Sequence, residues 1–164
     1  MSKRKIAAVI EIGSNMLILK VAQKKSKQIE ILEYAEYPLS LGRDTFSKGK
    51  VGFDKIEKTC EILNGFKEIV QGYQADDLIT IATTAVREAE NRYYILDQIK
   101  VKTGIDVKIT DDSEEKLYNY RNILREIYKN ENLSKETALI AYISSGSLGI
   151  ALYKNEKIIY NQNI

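Results

Sequence analysis

The groups in this sequence best suited to chemistry are a carboxylate pair, Glu114-Glu115, an arginine set just after an apolar run, Arg87, and a small-residue turn, Gly13-Ser14-Asn15. The chain has no histidine, which removes the commonest general base and the commonest metal ligand. Chemistry must therefore rest on carboxylates, backbone amides, Arg, Lys or Ser/Thr, and carboxylate-driven attack of water stays open. Arg87 follows its strand through Thr83-Thr84-Ala85, where a guanidinium can reach into a cleft and grip phosphate with two parallel hydrogen bonds; the plain alternative is a surface helix arginine. Glu114 and Glu115 open a helix, where the dipole alone favours negative charge. Gly13-Ser14-Asn15 reads equally as a hairpin turn or as a loop whose amides approach phosphate.

The elements that must position these groups belong to an ordinary globular chain. Of 164 residues, 44% are hydrophobic and 29% charged, enough for a sizeable core. Lys and Arg total 25 against 23 Asp and Glu, a balance of +2 that disfavours a nucleic-acid partner. Cys60 is the one cysteine, so an internal disulfide is excluded, and no run nears the roughly 18 apolar residues of a membrane span. A cytoplasmic protein with no membrane partner is expected.

Ile6–Ile12 and Met16–Ala22 read as a β-hairpin around the Gly13 turn, with a third antiparallel strand over Gln28–Tyr37 ended by Pro38. Leu41 to Gly52, with three glycines, reads as a loop. Ile56, Cys60, Leu63, Phe66 and Val70 recur at helical spacing, so Phe53–Tyr73 is predicted helical. Cys60 is expected to pack as a small hydrophobe, and the lysines at 24, 25 and 27 to form a solvated turn. A strand over Leu78–Thr83, a helix over Ala85–Lys102 broken near Asn91, a strand over Ile105–Thr110 and a helix from Ser113, its N-cap, to Lys129 follow. Strands at Ala138–Ile143, Ile150–Tyr153 and Lys157–Asn161 then begin a second meander. The expected fold class is α/β, with residues 1–129 forming one domain on a mixed five-stranded sheet. Residues 130–164 are expected to start a second domain whose uncovered strands favour a homodimer.

Several segments, taken in order, carry a resemblance. The strand ending in Glu11-Ile12-Gly13-Ser14-Asn15 is followed by Leu41-Gly42 with Gly49-Lys50-Val51, then by Ala82-Thr83-Thr84-Ala85-Val86-Arg87-Glu88-Ala89-Glu90-Asn91, and then by Thr103-Gly104-Ile105 with Ile109 to Glu115. Together these are similar to the amino-terminal part of the exopolyphosphatase/guanosine pentaphosphate phosphohydrolases, the Ppx/GppA family of the actin-like superfamily. The resemblance implies an actin-like, ribonuclease H-like sheet and hydrolysis of a terminal phosphoanhydride in polyphosphate or a guanosine polyphosphate. It also implies Mg²⁺ as cofactor, Arg87 as phosphate ligand and Glu114 as general base, with Glu115 as the alternative register. Gly13, Ser14, Asn15, Gly146 and Ser147 become phosphate-binding candidates, and Glu11 a metal-ligand candidate.

The departures are chemical. Glu11 stands where the family usually has Asp, and its extra methylene pushes the carboxylate further into a tight site. Tyr142-Ile143-Ser144-Ser145-Gly146-Ser147-Leu148-Gly149 aligns with the family's DIGGGSTE, so Tyr142 replaces an Asp and Gly149 a Glu, and neither can supply a carboxylate. A degenerate catalytic signature is expected, and a non-catalytic, phosphate-binding or regulatory relative is the alternative.

Overall fold

The computed structural model describes residues 5–26, 28–129, 137–143, 148–154 and 157–163, in two compact units, Met1–Thr110 and Asp111–Ile164. In the first unit β1 (Lys5–Ile12), β2 (Met16–Lys25) and β3 (Gln28–Pro38) are antiparallel neighbours. β4 (Asp77–Ala82) and β5 (Lys108–Ile109) run parallel to β1, giving the order β3-β2-β1-β4-β5. Alternation sets the register, because Ala8, Ile10, Ile12, Leu17, Leu19 and Val21 all turn to one face and are buried. A slip of one residue would turn that whole set outward.

α2 (Phe53–Gly72) lays Ile56, Cys60, Leu63, Phe66 and Val70 into the same core, joined by Ile95 and Ile99 of α4 (Arg92–Thr103). Each such aliphatic side chain contributes about 1.5–3 kcal/mol when fully buried. Cys60 packs there as expected, and burial, its largest influence, pushes the thiol pKa up.

Leu41 to Gly52 is not a loop. Leu41–Lys48 forms α1, closed by Gly49 in the left-handed region at φ 73°, whose N–H donates to the Thr45 carbonyl. Gly42 lets the helix start press on the β1–β2 turn: a Cβ there would lie 2.9 Å from the Ser14 Cβ. Asp44, in the first turn, is buried and pairs with Lys55 at 3.0 Å and Lys48 at 3.4 Å while accepting from the Gly52 N–H at 3.1 Å. Burial pushes its carboxyl up, but the Lys55 hydrogen bond, the Gly52 amide and the two lysine charges outweigh this, and the pKa is lowered. The Ala85–Lys102 helix is broken as predicted, into α3 (Thr84–Arg87) and α4, whereas the strand expected over 105–110 shrinks to two residues.

The second unit contains α5 (Asp112–Lys129) and the antiparallel sheet β6-β7-β8, made of Ala138–Ile143, Leu148–Lys154 and Lys157–Asn163. Its core joins Tyr120 and Ile127 of α5 to Ile140, Ala151 and Tyr153. α5 thus shares a core with the strands that follow it, and the compact units divide after Thr110, whereas the sequence reading put the boundary after 129. Its amino end is capped by Asp111, not Ser113: the Asp111 carboxylate accepts from the Glu114 N–H at 2.7 Å.

Candidate functional site

The parallel strands β1, β4 and β5 all end on one edge of the first sheet, and the candidate groups of that unit gather there. Ligands of open α/β sheets commonly bind at such carboxyl ends. Gly13-Ser14-Asn15 follows β1, Thr83 and Thr84 follow β4, and Thr110 follows β5. The Thr83 N–H donates to the Ile12 carbonyl at 3.1 Å, and the Thr110 N–H to the Ala82 carbonyl at 3.0 Å, so the three exits are stitched side by side. The turn is clamped from its other flank as well: Leu39 N–H donates to the Asn15 carbonyl and Gly42 N–H to the Ser14 carbonyl, at 2.9 and 2.8 Å.

Within this clamp the Ser14 hydroxyl is buried and finds no hydrogen-bond partner among the described residues. An unsatisfied buried hydroxyl is costly, so its place calls for an explanation. Arg87 is anchored at the same edge. Its guanidinium donates to the Thr110 carbonyl at 3.1 Å, to Thr84 Oγ1 at 3.2 Å and to Glu88 Oε1 at 3.1 Å. It is not the surface helix arginine of the plainer reading, since its side chain is only 17% exposed.

Glu114 and Glu115 lie in the first turn of α5, in the second unit, both half-buried. In the same unit Tyr142 and Gly149 are direct cross-strand partners on β6 and β7. Gly146 and Ser147, with Ser144 and Ser145, lie outside the described residues.

The sequence profile of the Ppx/GppA phosphatase family matches residues 20–161. This chain belongs to the Ppx/GppA family. Its first 110 residues carry the mixed five-stranded sheet of the family's actin-like fold, and the three-stranded sheet follows. The Ppx/GppA enzyme of Aquifex aeolicus superimposes with a TM-score of 0.79 at 25% identity, over 98% of this chain and 52% of that one. An exopolyphosphatase from Cytophaga hutchinsonii gives 0.83 at 21% identity, over 98% and 50%. Among curated proteins, exopolyphosphatase 1 of Mycobacterium bovis is 25% identical over 118 residues, covering 71% of this chain and 34% of its own length. The bifunctional 3-dehydroquinate synthase/phosphatase of Fusobacterium nucleatum subsp. nucleatum is 24% identical over 155 residues, covering 90% and 23%. The chain thus spans about half the length of these structures and less of the curated relatives.

The Ppx/GppA segments have structural work that sequence reasoning missed. Asn91, the last residue of the most specific segment, accepts from the Val51 N–H at 3.1 Å and donates to the Val51 carbonyl at 2.9 Å. Thr45 Oγ1 donates to the Ala85 carbonyl at 2.8 Å, and Glu90 N–H to the Gly49 carbonyl at 2.9 Å. The segment therefore holds α1 in place as well as presenting Arg87.

The described residues assemble no protein-only cage for the Mg²⁺ that the family resemblance implies. No group of three or more His, Cys, Asp or Glu suited to a metal occurs among the described residues. Glu11 alternates away from the buried Ile10 and Ile12, folding beside Gly13. On β6, burial, then the Tyr120 phenol and the carboxylates of Asp112 and Glu115, push the Tyr142 hydroxyl up to about 12, leaving it a neutral and poor metal donor.

Proposed function

We propose that the chain is a Ppx/GppA-type phosphoanhydride phosphohydrolase domain with a degenerate catalytic signature, taking inorganic polyphosphate or a guanosine polyphosphate such as pppGpp. The reading is carried by the buried Ser14 hydroxyl without a partner, on the strand-end edge where Arg87 is anchored. A phosphate oxygen there would satisfy the hydroxyl and take charge-assisted hydrogen bonds from the guanidinium. Gly13 and Asn15 flank the ligand; Gly146 and Ser147 are phosphate-binding candidates on the family resemblance alone. Glu114, or Glu115 in the alternative register, is the base in this reading. Its carboxylate takes a proton from water as the water oxygen bonds to the terminal phosphorus, and the P–O bond to the shortened chain breaks.

A second reading, a non-catalytic relative that binds phosphate ligands for regulation, is favoured by Tyr142 and Gly149 standing in the acid positions. Loss of one member of a catalytic unit commonly costs several orders of magnitude in rate, so this chain should bind far better than it turns over. We also propose cytoplasmic residence, supported by the single, buried thiol, and self-association through β6, where Leu139 and Ile143 are 72% and 86% exposed.

Calorimetric titration with tripolyphosphate, beside phosphate release from polyphosphate and pppGpp with and without Mg²⁺, tests both readings. Saturable binding that Arg87→Ala weakens by about 1.5–3 kcal/mol, with release at background, is expected. Equal affinity of wild type and Arg87→Ala would remove Arg87 from the site. Ready phosphate release would mean that the lost carboxylates matter less than proposed here.

A further inference from the structure

Gly149 is buried in the central strand of the second sheet, directly opposite Tyr142. A Cβ on Gly149 would run into the Tyr142 ring, meeting Cε1 and Cζ in outright overlap and the hydroxyl oxygen at 2.7 Å. The ring thus lies across the bare glycine backbone, occupying the space that a side chain at 149 would need. It has little room to swing away, because its other side meets Tyr120 of α5 edge-on, with centroids 5.3 Å apart and planes at 87°. Glycine in a central strand is unfavourable by itself, and an aromatic ring laid over it from the neighbouring strand restores the missing packing.

We infer that Tyr142 and Gly149 are one interlocked unit, in which the ring of the first needs the missing side chain of the second, and that this lock leaves no room for a divalent cation between the two residues. Two consequences separate this from two independent replacements. A side chain at 149 is tolerated only when the ring at 142 is removed. A carboxylate restored at one position alone fails, at 149 because the ring occupies its volume and at 142 because it has no partner acid. The lock is independent of whether the first unit binds phosphate, so its failure and that of the proposed function are told apart by where the effect appears.

The test is a double-mutant cycle on the full chain, using Gly149→Ala, Tyr142→Ala and the pair, read by thermal melting and by hydrogen exchange of residues 111–164. Gly149→Ala should lower the melting temperature by roughly 5–10 °C in the presence of Tyr142 and by less than about 2 °C in its absence. Equal costs in both backgrounds would overturn the lock. Should Gly149→Ala fail to fold, rescue by adding Tyr142→Ala supports the lock, and no rescue counts against it. Mn²⁺ as a probe, followed by its paramagnetic effect on the Tyr142 ring resonances, should give no saturable binding up to millimolar metal. One-to-one binding that broadens those resonances in the wild type would refute closure.

Discussion

The two units treat a strand end in opposite ways. After β1 the first unit keeps small residues, brings α1 close through Gly42, and leaves a buried hydroxyl without a partner. In the second unit a tyrosine ring lies across Gly149 and is supported by Tyr120. One strand end keeps an unsatisfied polar group; the other is given over to aromatic packing. The contrast teaches that one chain can treat two strand ends in opposite ways, because a packed ring stabilises a place where unpaired carboxylates would be costly.

The largest expected effect tests whether the units are separable. Tyr153 is fully buried in the small core of the second unit and meets Tyr128 edge-to-face at 6.4 Å. Tyr153→Ala should cost about 3–5 kcal/mol. Hydrogen exchange should show protection lost across residues 111–164 and retained in β1, β2 and α2; uniform loss throughout would erase the distinction between the units.

Next comes the buried charge of the first unit. Asp44→Ala should cost about 2–3 kcal/mol, because the Gly52 amide loses its acceptor and Lys55 keeps only the Ser40 carbonyl. Since the folded Asp44 pKa lies below its ordinary 3.8, the stabilisation is complete above that value and is lost as pH falls through the folded pKa. Chemical denaturation from pH 7 to pH 2 should therefore show a steeper acid decline for wild type than for Asp44→Asn. Parallel declines would remove Asp44 as a source of acid sensitivity.

Asn91→Ala should remove both hydrogen bonds to Val51 at a cost of about 1–2 kcal/mol, loosening α1 against α3. The comparison sharpens if tripolyphosphate affinity falls with it, since α1 also clamps the Ser14 turn; unchanged affinity would make the clamp irrelevant to binding. The smallest effect belongs to α5: Glu114→Gln and Glu115→Gln should each change stability by less than about 1 kcal/mol, the scale of a helix-dipole interaction. A larger loss in urea titration would give these carboxylates a structural duty that the proposal omits.

The strands β1 to β3, the long helix α2 and the break at Asn91 were legible because each depends on local period or on a local breaker. α1 was not, since its start depends on Gly42 reaching Ser14 and its end on a left-handed Gly49, and both glycines look like loop residues in one dimension. Asp44 gave only a weak hint, an acid four residues before Lys48, because its stronger partner Lys55 lies a helix away. Tyr142 and Gly149 could be singled out in the sequence, whereas their direct opposition required the cross-strand register. Ser14 was legible as a turn residue, but the isolation of its hydroxyl follows from burial that no spacing reveals.

The reciprocal grip of Asn91 on Val51, with Thr45 on Ala85 and Glu90 on Gly49, has a bearing on how such chains are recognised. The stretch from Ala82 to Asn91 is a buttress for the first helix, which also leans on the Ser14 turn and on Lys55. A match to that stretch accordingly reports an intact scaffold and is silent about catalysis.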